Sequence, residues 1–333
     1  MATAERLRIG IAGCGRTGRA HLGRLLHTGR VEIVGCADPD LESARLLAAT
    51  VAGSGAAEPP VFADPREMLS KAAPQAVSIF APHRVHYRLA MDALQAGCHL
   101  FIEMPLSTSA QEADDIVGLA RGRGRKVGVG HQYRLRPALA EARRRVMAGT
   151  IGPLRMVSAT LARPWLAEHG GPADAWRYEA KITGGGILAD IGDDLLDALL
   201  WTTGQKAVEV AAIQSRHDSG FDLVTTAAIR LADGIPATLC LSALSPGSLL
   251  ELTYFGEAGR LHATDSALTE ALGDGAAREI ALSEASETTD GNFVAAVLDD
   301  APLSCPAEEA LETVRLLEAI ARSAAAGQAV RLA

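Results

Sequence analysis

The sequence predicts an α/β chain of two domains, an N-terminal doubly wound parallel sheet followed by an α+β domain built on an open, mainly antiparallel sheet. Three observations carry that prediction. The length of 333 residues exceeds what one hydrophobic core serves. Short apolar runs alternate with helical patterns as far as Gly130. Beyond Pro137 the runs lengthen and take on the two-residue alternation of half-buried antiparallel strands.

Taken in order, residues 8–12 (RIGIA) form a short apolar run ending in glycines and predict a strand. A helical pattern through Leu22, Leu25 and Leu26 follows, then a second apolar run at 31–37. Helices over 41–50 and 66–71, a strand at 76–80, a helix over 84–96, a strand at 99–102, a helix over 111–121 and a strand at 126–130 continue the alternation. Strands and helices that alternate in this way pair in parallel, with helices on both faces. A helix over 138–148 opens the second domain. Strands follow at 154–162, 207–215, 223–231, 235–244 and 249–255, with Ala232, Asp233 and Gly234 as one connecting turn. A final helix over 307–325 carries Leu311, Val314, Leu317 and Ile320 and is closed by Gly327. The expected limits are 1–130 and 131–333, the final helix packing back toward the first domain.

Composition narrows the function classes. A net charge of −8 argues against binding to a phosphate backbone, which is built on Lys and Arg contacts. The one basic run, Arg121, Arg123, Arg125 and Lys126, reads as a solvated turn. No apolar run approaches the ~20 residues of a membrane span, and the first residues lack the apolar stretch of a secretory signal, so a cytoplasmic location is expected. Five cysteines stand singly, without zinc-site spacing, and read as small buried apolar residues.

The segment Gly13-Cys14-Gly15-Arg16-Thr17-Gly18 is a GxGxxG turn between a predicted strand and a predicted helix. The first glycine makes the tight turn, the second admits a pyrophosphate to the backbone, and the third packs helix on strand. Asp38 falls 20 residues past Gly18 at the end of the second strand, where a carboxylate accepts from an adenosine ribose and repels a 2′-phosphate. Pro39 and Asp40 add no arginine, so the first domain reads as a Rossmann fold that takes NAD in preference to NADP.

The blocks GCGRTGRAH (13–21), CADPD (36–40), APHRVH (81–86), AGCHLFIEMPLS (96–107), HQYRLRP (131–137) and WRYEAKITGGGILADIGDDLLDALLW (176–201), with the closing helix, stand in an order and spacing that resemble, over nearly the whole chain, the Gfo/Idh/MocA oxidoreductase family. The resemblance implies that the loop holding Pro82, His83 and His86 runs beside the cofactor, with His86 near the nicotinamide. It implies that Glu103 lies by the nicotinamide ribose with Met104 beside it. It further implies that Gln132, Arg134, Trp176 and Arg177 line the substrate side, and that members assemble as homodimers or homotetramers, here through strands 223–231 and 235–244.

Two positions depart from the family's pattern. Its Glu-Lys-Pro triplet reads Glu103-Met104-Pro105, and Asp194 stands where its DxGxHxxD motif has histidine. A thioether transfers no proton. Spacing places Asp190, Asp194 and Asp197 on one side of a helix begun by Gly184-Gly185-Gly186, a carboxylate cluster with no lysine opposite. Mutual repulsion is expected to raise the pKa of Asp190 or Asp194. The leading reading is an NAD-dependent oxidoreductase acting on a small polar substrate such as a sugar, cyclitol, amino sugar or imine, with Asp190, Asp194 and His86 as catalytic candidates. The alternative is a catalytically altered member that binds NAD or a ligand as a regulator, or does non-redox chemistry. A third reading, a divalent metal on the aspartates, lacks further ligands placed by sequence, and no metal is assigned. His21 and His27 read as packing or exposed residues, and Lys181 as an exposed loop lysine.

Overall fold

The computed structural model describes residues 6–169, 176–216, 220–284 and 287–332. Two compact units result, one of Met1–Gly130 with Glu287–Leu311 and one of His131–Ser286 with Glu312–Ala333. The expected boundary gave all of 131–333 to the second domain. Segment Glu287–Leu311 instead joins the first unit, because its helix Thr289–Asp299 buries Phe293 and Val294 in the same core as Leu22 and Phe101.

The first unit is a six-stranded sheet of β1 (Leu7–Ala12), β2 (Val31–Ala37), β3 (Val61–Phe62), β4 (Ala76–Ile79), β5 (His99–Ile102) and β6 (Val127–Val129). Its spatial order is β3-β2-β1-β4-β5-β6, and every neighbouring pair is parallel. All four residues of β4 are buried, which is why it reads as a continuous apolar run. Helices α1 (Arg16–His27), α2 (Leu41–Gly53), α3 (Pro65–Ala72), α4 (His83–Gln95) and α5 (Ala110–Arg123) connect the strands. Asp40, Asp64 and Ser109 cap α2, α3 and α5 by accepting backbone N–H groups. From β1 the order runs to β2 on one side and β4 on the other. Such a reversal opens a crevice at the carboxyl ends of the strands, where this class of sheet binds ligands.

The second unit opens with a 3₁₀ turn (Gln132–Leu135) and α6 (Pro137–Met147). Its nine-stranded sheet holds β7 (Leu154–Ala162), β8 (Ala207–Arg216), β9 (Asp222–Leu231), β10 (Pro236–Ser242), β11 (Leu249–Gly256), β12 (Gly259–Thr264), β13 (Leu268–Leu272), β14 (Arg278–Glu279) and β15 (Val330–Arg331). Only β7 and β10 pair in parallel. Alternating burial along β9 and β10 buries one face and exposes the other. Among the described residues the unit also holds the short helices α7 (Trp165–Glu168), α8 (Ala180–Thr183) and α9 (Asp193–Thr203), the last preceded by a π-helical turn (Leu188–Gly192), and most of the helix Ala307–Ala326. This final helix, expected to pack toward the first domain, instead gives Leu316, Leu317 and Ile320 to the core of the second unit. Strands β12 to β15 were not expected, since they are short and broken by residues such as Arg260 and His262. Cys240 departs from the buried reading and lies on the exposed face of β10. Among the described residues no helix is long and apolar enough to cross a membrane.

Candidate active site

The glycine turn sits at the carboxyl end of β1. Gly13 has φ +98°, and a Cβ there would lie 2.4 Å from the Phe80 carbonyl oxygen. A Cβ on Gly18 would lie 2.3 Å from the Gly13 oxygen, so turn and helix are in backbone contact. Gly15 differs, because a Cβ there meets no heavy atom within 4 Å. Gly15 therefore answers to nothing in the protein, and the open space before α1, flanked by Arg16 and Thr17, fits a pyrophosphate at a helix N-terminus. Asp38 accepts from Cys14 N–H at 2.8 Å and from Asp40 N–H at 2.9 Å, which orients its carboxylate and leaves acceptor capacity for a ribose. These residues fit NAD. Two substitutions separate fold from cofactor: Gly13→Ala is expected to lower the melting temperature sharply, whereas Gly15→Ala changes stability by less than about 0.5 kcal/mol and weakens NADH binding by about tenfold or more. Thermal melts and fluorescence titration measure both; equal NADH affinity in Gly15→Ala and wild type would refute the assignment.

At the ends of β4 and β5 the structure corrects one candidate. His86 is fully buried, with Nδ1 2.8 Å from the Pro105 oxygen and Nε2 2.7 Å from the Ala81 oxygen. Both ring nitrogens face backbone carbonyls, so His86 fastens the loop that carries Pro82 and His83 to the Met104–Pro105 turn, and it is not a proton-transfer group. Met104 is half-buried beside Glu103. Glu103 accepts from Met104 N–H at 2.7 Å and from His21 Nε2 at 3.0 Å. The sequence reads His21 as a packing or exposed residue. It is buried and stacked on Phe80 at 4.3 Å, and it also links Glu103 to Asp290, whose Oδ1 is 2.8 Å from Nδ1. Arg24 Nε donates to Asp290 Oδ2 at 2.7 Å. Burial works against charge on both His21 and Glu103, and the pairing outweighs it. His21 is held above its ordinary pKa by Asp290 and Glu103, and Glu103 below its own by His21 and the Met104 N–H.

The second unit overturns the expectation of an uncompensated acidic cluster. Asp190 lies on the π-helical turn, buried, and accepts from Trp165 Nε1 at 2.5 Å and from the Arg177 guanidinium, which stacks on Trp176 at 4.5 Å. Asp197 is buried and receives Arg134 Nε at 2.8 Å and Arg134 Nη2 at 2.6 Å. His131 Nε2 is 2.6 Å from Asp193, and its Nδ1 is 3.3 Å from Asp197. Burial raises the Asp197 carboxyl, but His131 and Arg134 more than offset it and hold the carboxyl below its ordinary pKa. The repulsion that was to raise a carboxyl pKa is met at Asp190 and Asp197 by arginine and histidine, because spacing along one helix says nothing of the cations opposite. Gln132 is exposed on the 3₁₀ turn, while Arg134 is buried as the counter-ion of Asp197. Asp222 holds the site's helix in place by accepting from Gly186 and Leu188 N–H, and a Cβ on Gly186 would collide with the Asp222 backbone at 2.2 Å.

Asp194 stands apart. Of the aspartates at 190, 193, 194 and 197 it is the one that is not buried. Its charge is felt by the Tyr133 phenol, which burial first and Asp194 second push up to about 12. Sequence reasoning missed Asp193, His131, Tyr133 and Trp165; the pairing of HxxR at 131–134 with DxxxD at 193–197 was the available signal.

Two family profiles match consecutive parts of the chain. One, described as the oxidoreductase family with an NAD-binding Rossmann fold, covers residues 7–131, and the other, the GFO/IDH/MocA C-terminal domain, covers residues 139–262. The chain belongs to the Gfo/Idh/MocA oxidoreductase family. D-Glucoside 3-dehydrogenase of Escherichia coli is 29% identical over 208 residues, 62% of this chain and 57% of that protein. The rhizopine catabolism protein MocA of Rhizobium meliloti is 28% identical over 211 residues, 63% and 62% respectively. The matched region thus spans less than two thirds of either relative. An oxidoreductase domain protein from Kribbella flavida, 21% identical, superposes with a TM-score of 0.88 over 99% of this chain and 100% of that one. Levoglucosan dehydrogenase in complex with NADH, 20% identical, gives 0.86 over 99% and 100%. These likenesses show the fold.

Proposed function

We propose that the chain is an NAD(H)-dependent oxidoreductase that moves a hydride to or from a small polar substrate, a sugar, cyclitol, amino sugar or imine, with Asp194 handling the proton. The observation that carries the proton assignment is that Asp194 is half-buried where the aspartates at 190, 193 and 197 are fully buried. Asp190 was a catalytic candidate; its Trp165 and Arg177 partners make it the anchor of Arg177 instead. Gly13, Gly15, Arg16, Thr17, Gly18 and Asp38 would hold the cofactor's adenosine and pyrophosphate, and Pro82, His83, Glu103 and Met104 its other half. NAD, when bound, supplies the hydride acceptor or donor. Gln132, Trp176 and Arg177 serve the substrate, and Arg134 acts on that site through Asp197. The similarity to D-glucoside 3-dehydrogenase supports a sugar-like substrate.

The test is nicotinamide absorbance across a panel of polyols, amino sugars and imines, with NADH and NADPH binding followed by calorimetry. Turnover of some panel member with NAD preferred is expected. Intact NADH binding without turnover on the whole panel would replace this reading with that of a binding protein. We also place self-association, as a homodimer or homotetramer, on the open face of the second sheet. Ile213, Thr226, Ala228, Thr238 and Cys240 are exposed there, Ile213 to 77%, with the Arg230–Glu209 ion pair at one end of the same face. A monomer in sedimentation velocity would remove that assignment.

A further inference from the structure

We infer that His21 is a positioning residue for the cofactor: as the middle of a buried chain Arg24–Asp290–His21–Glu103, it fixes the Glu103 carboxylate and thereby sets NADH affinity. The inference rests on the reading that Glu103 stands beside the cofactor, which the strand order supports. Glu103 follows the carboxyl end of β5, next to β4 and on the side of the crevice away from Asp38.

Four observations support it. His21 keeps 1% of its side-chain surface and Asp290 none, whereas Glu103 keeps 17% and Arg24 28%, so the two middle groups are sealed and the chain opens at its two ends, one of them the Glu103 carboxylate. That carboxylate has one seat, since His21 Nε2 and Met104 N–H hold its two oxygens and a Cβ on Gly130 would lie 2.4 Å from Oε2. Both imidazole nitrogens face carboxylate oxygens, and only a doubly protonated ring donates to both. The charges then close: two carboxylates against one imidazolium and the Arg24 guanidinium. The groups facing His21 are Asp290 from helix Thr289–Asp299, Glu103 from the end of β5, and the uncharged rings of Phe80 and Phe101, with Arg24 one turn along α1.

Loss of the His21 proton turns a nitrogen lone pair onto a carboxylate oxygen. Because Asp290 and Glu103 hold the proton more tightly than a free histidine does, that loss comes at a higher pH than the ordinary histidine value. Cofactor affinity is therefore flat below the loss and falls by roughly tenfold in one step through it.

The experiment follows NADH affinity against pH by fluorescence, and the His21 ring titration in the cofactor-free protein by NMR, in wild type and in His21→Gln, His21→Leu, Asp290→Asn and Glu103→Ala. In wild type the two steps coincide. Asp290→Asn moves both to lower pH, which a merely structural contact would not do. His21→Gln offers Glu103 a donor with no proton to lose, so it binds NADH near the wild-type level without the step, and His21→Leu binds about tenfold more weakly at every pH. An affinity step that stays in place while Asp290→Asn shifts the ring titration overturns the inference, as does wild-type affinity in His21→Leu with Glu103→Ala weakened. Wild-type affinity in Glu103→Ala removes Glu103 from the cofactor site and this inference with it.

Discussion

Asp194→Asn is expected to lower kcat by about 10²–10⁴-fold, the usual contribution of a positioned acid or base, while NADH affinity stays at the wild-type value. Asparagine keeps the shape and one acceptor oxygen but cannot take or give a proton. Asp194 lies where the π-helical turn runs on into α9, away from the helix start at Gly186 and Leu188 that Asp222 caps, so losing its charge is expected to change stability by less than about 0.5 kcal/mol. That is too small to unfold the protein. Steady-state kinetics with the substrate found by the panel gives kcat and KM, and a loss in kcat with KM nearly unchanged is the signature of an interaction made in the transition state. A second readout needs no turnover. Tyr133 titrates at about 12 partly because the Asp194 charge faces it, so neutralising Asp194 moves the tyrosinate absorbance transition downward. Unchanged kcat combined with a shifted Tyr133 transition would place Asp194 as described yet strip it of the proton role.

The doubly wound sheet was legible because its signals are local. An apolar run, a glycine turn and Asp38 at a fixed spacing need no knowledge of what lies elsewhere in the chain, and β1, α1 and β2 follow the pattern closely. Strands β7 to β11 were legible for the same reason, each being long enough for its alternation to show. The counter-ions were not legible. His21 meets Asp290 across 269 residues, and Arg134 meets Asp197 across 63, separations over which periodicity carries no information. Asp193 shares the helix face of Asp190 and Asp197, three residues past the one and four before the other, but its partner His131 stands 62 residues away, beyond the reach of any local pattern. His86 misled because a histidine next to a cofactor loop invites a chemical role, and only the two carbonyls at 2.8 and 2.7 Å show that its ring is spent on the backbone.

The largest stability effect belongs to Asp197. With the carboxylate removed in Asp197→Leu, the Arg134 guanidinium, 3% exposed, and the buried His131 lose a counter-charge they cannot replace with water. Breaking a buried pair from one side costs about 3–5 kcal/mol. The double variant Asp197→Leu/Arg134→Met removes both charges and is expected to recover most of that loss, since an apolar pair of similar volume is often near neutral. All three tryptophans, Trp165, Trp176 and Trp201, lie in the second unit, so urea unfolding followed by their fluorescence reads this unit alone. The pH dependence has a fixed sign. The folded-state pKa of Asp197 lies below its unfolded value, so its contribution is present above the unfolded pKa and lost as pH falls through the folded one. Wild type should therefore lose urea resistance on acidification faster than the double variant. Parallel acid profiles for the two proteins would mean that Asp197 is not the group whose protonation loosens this unit.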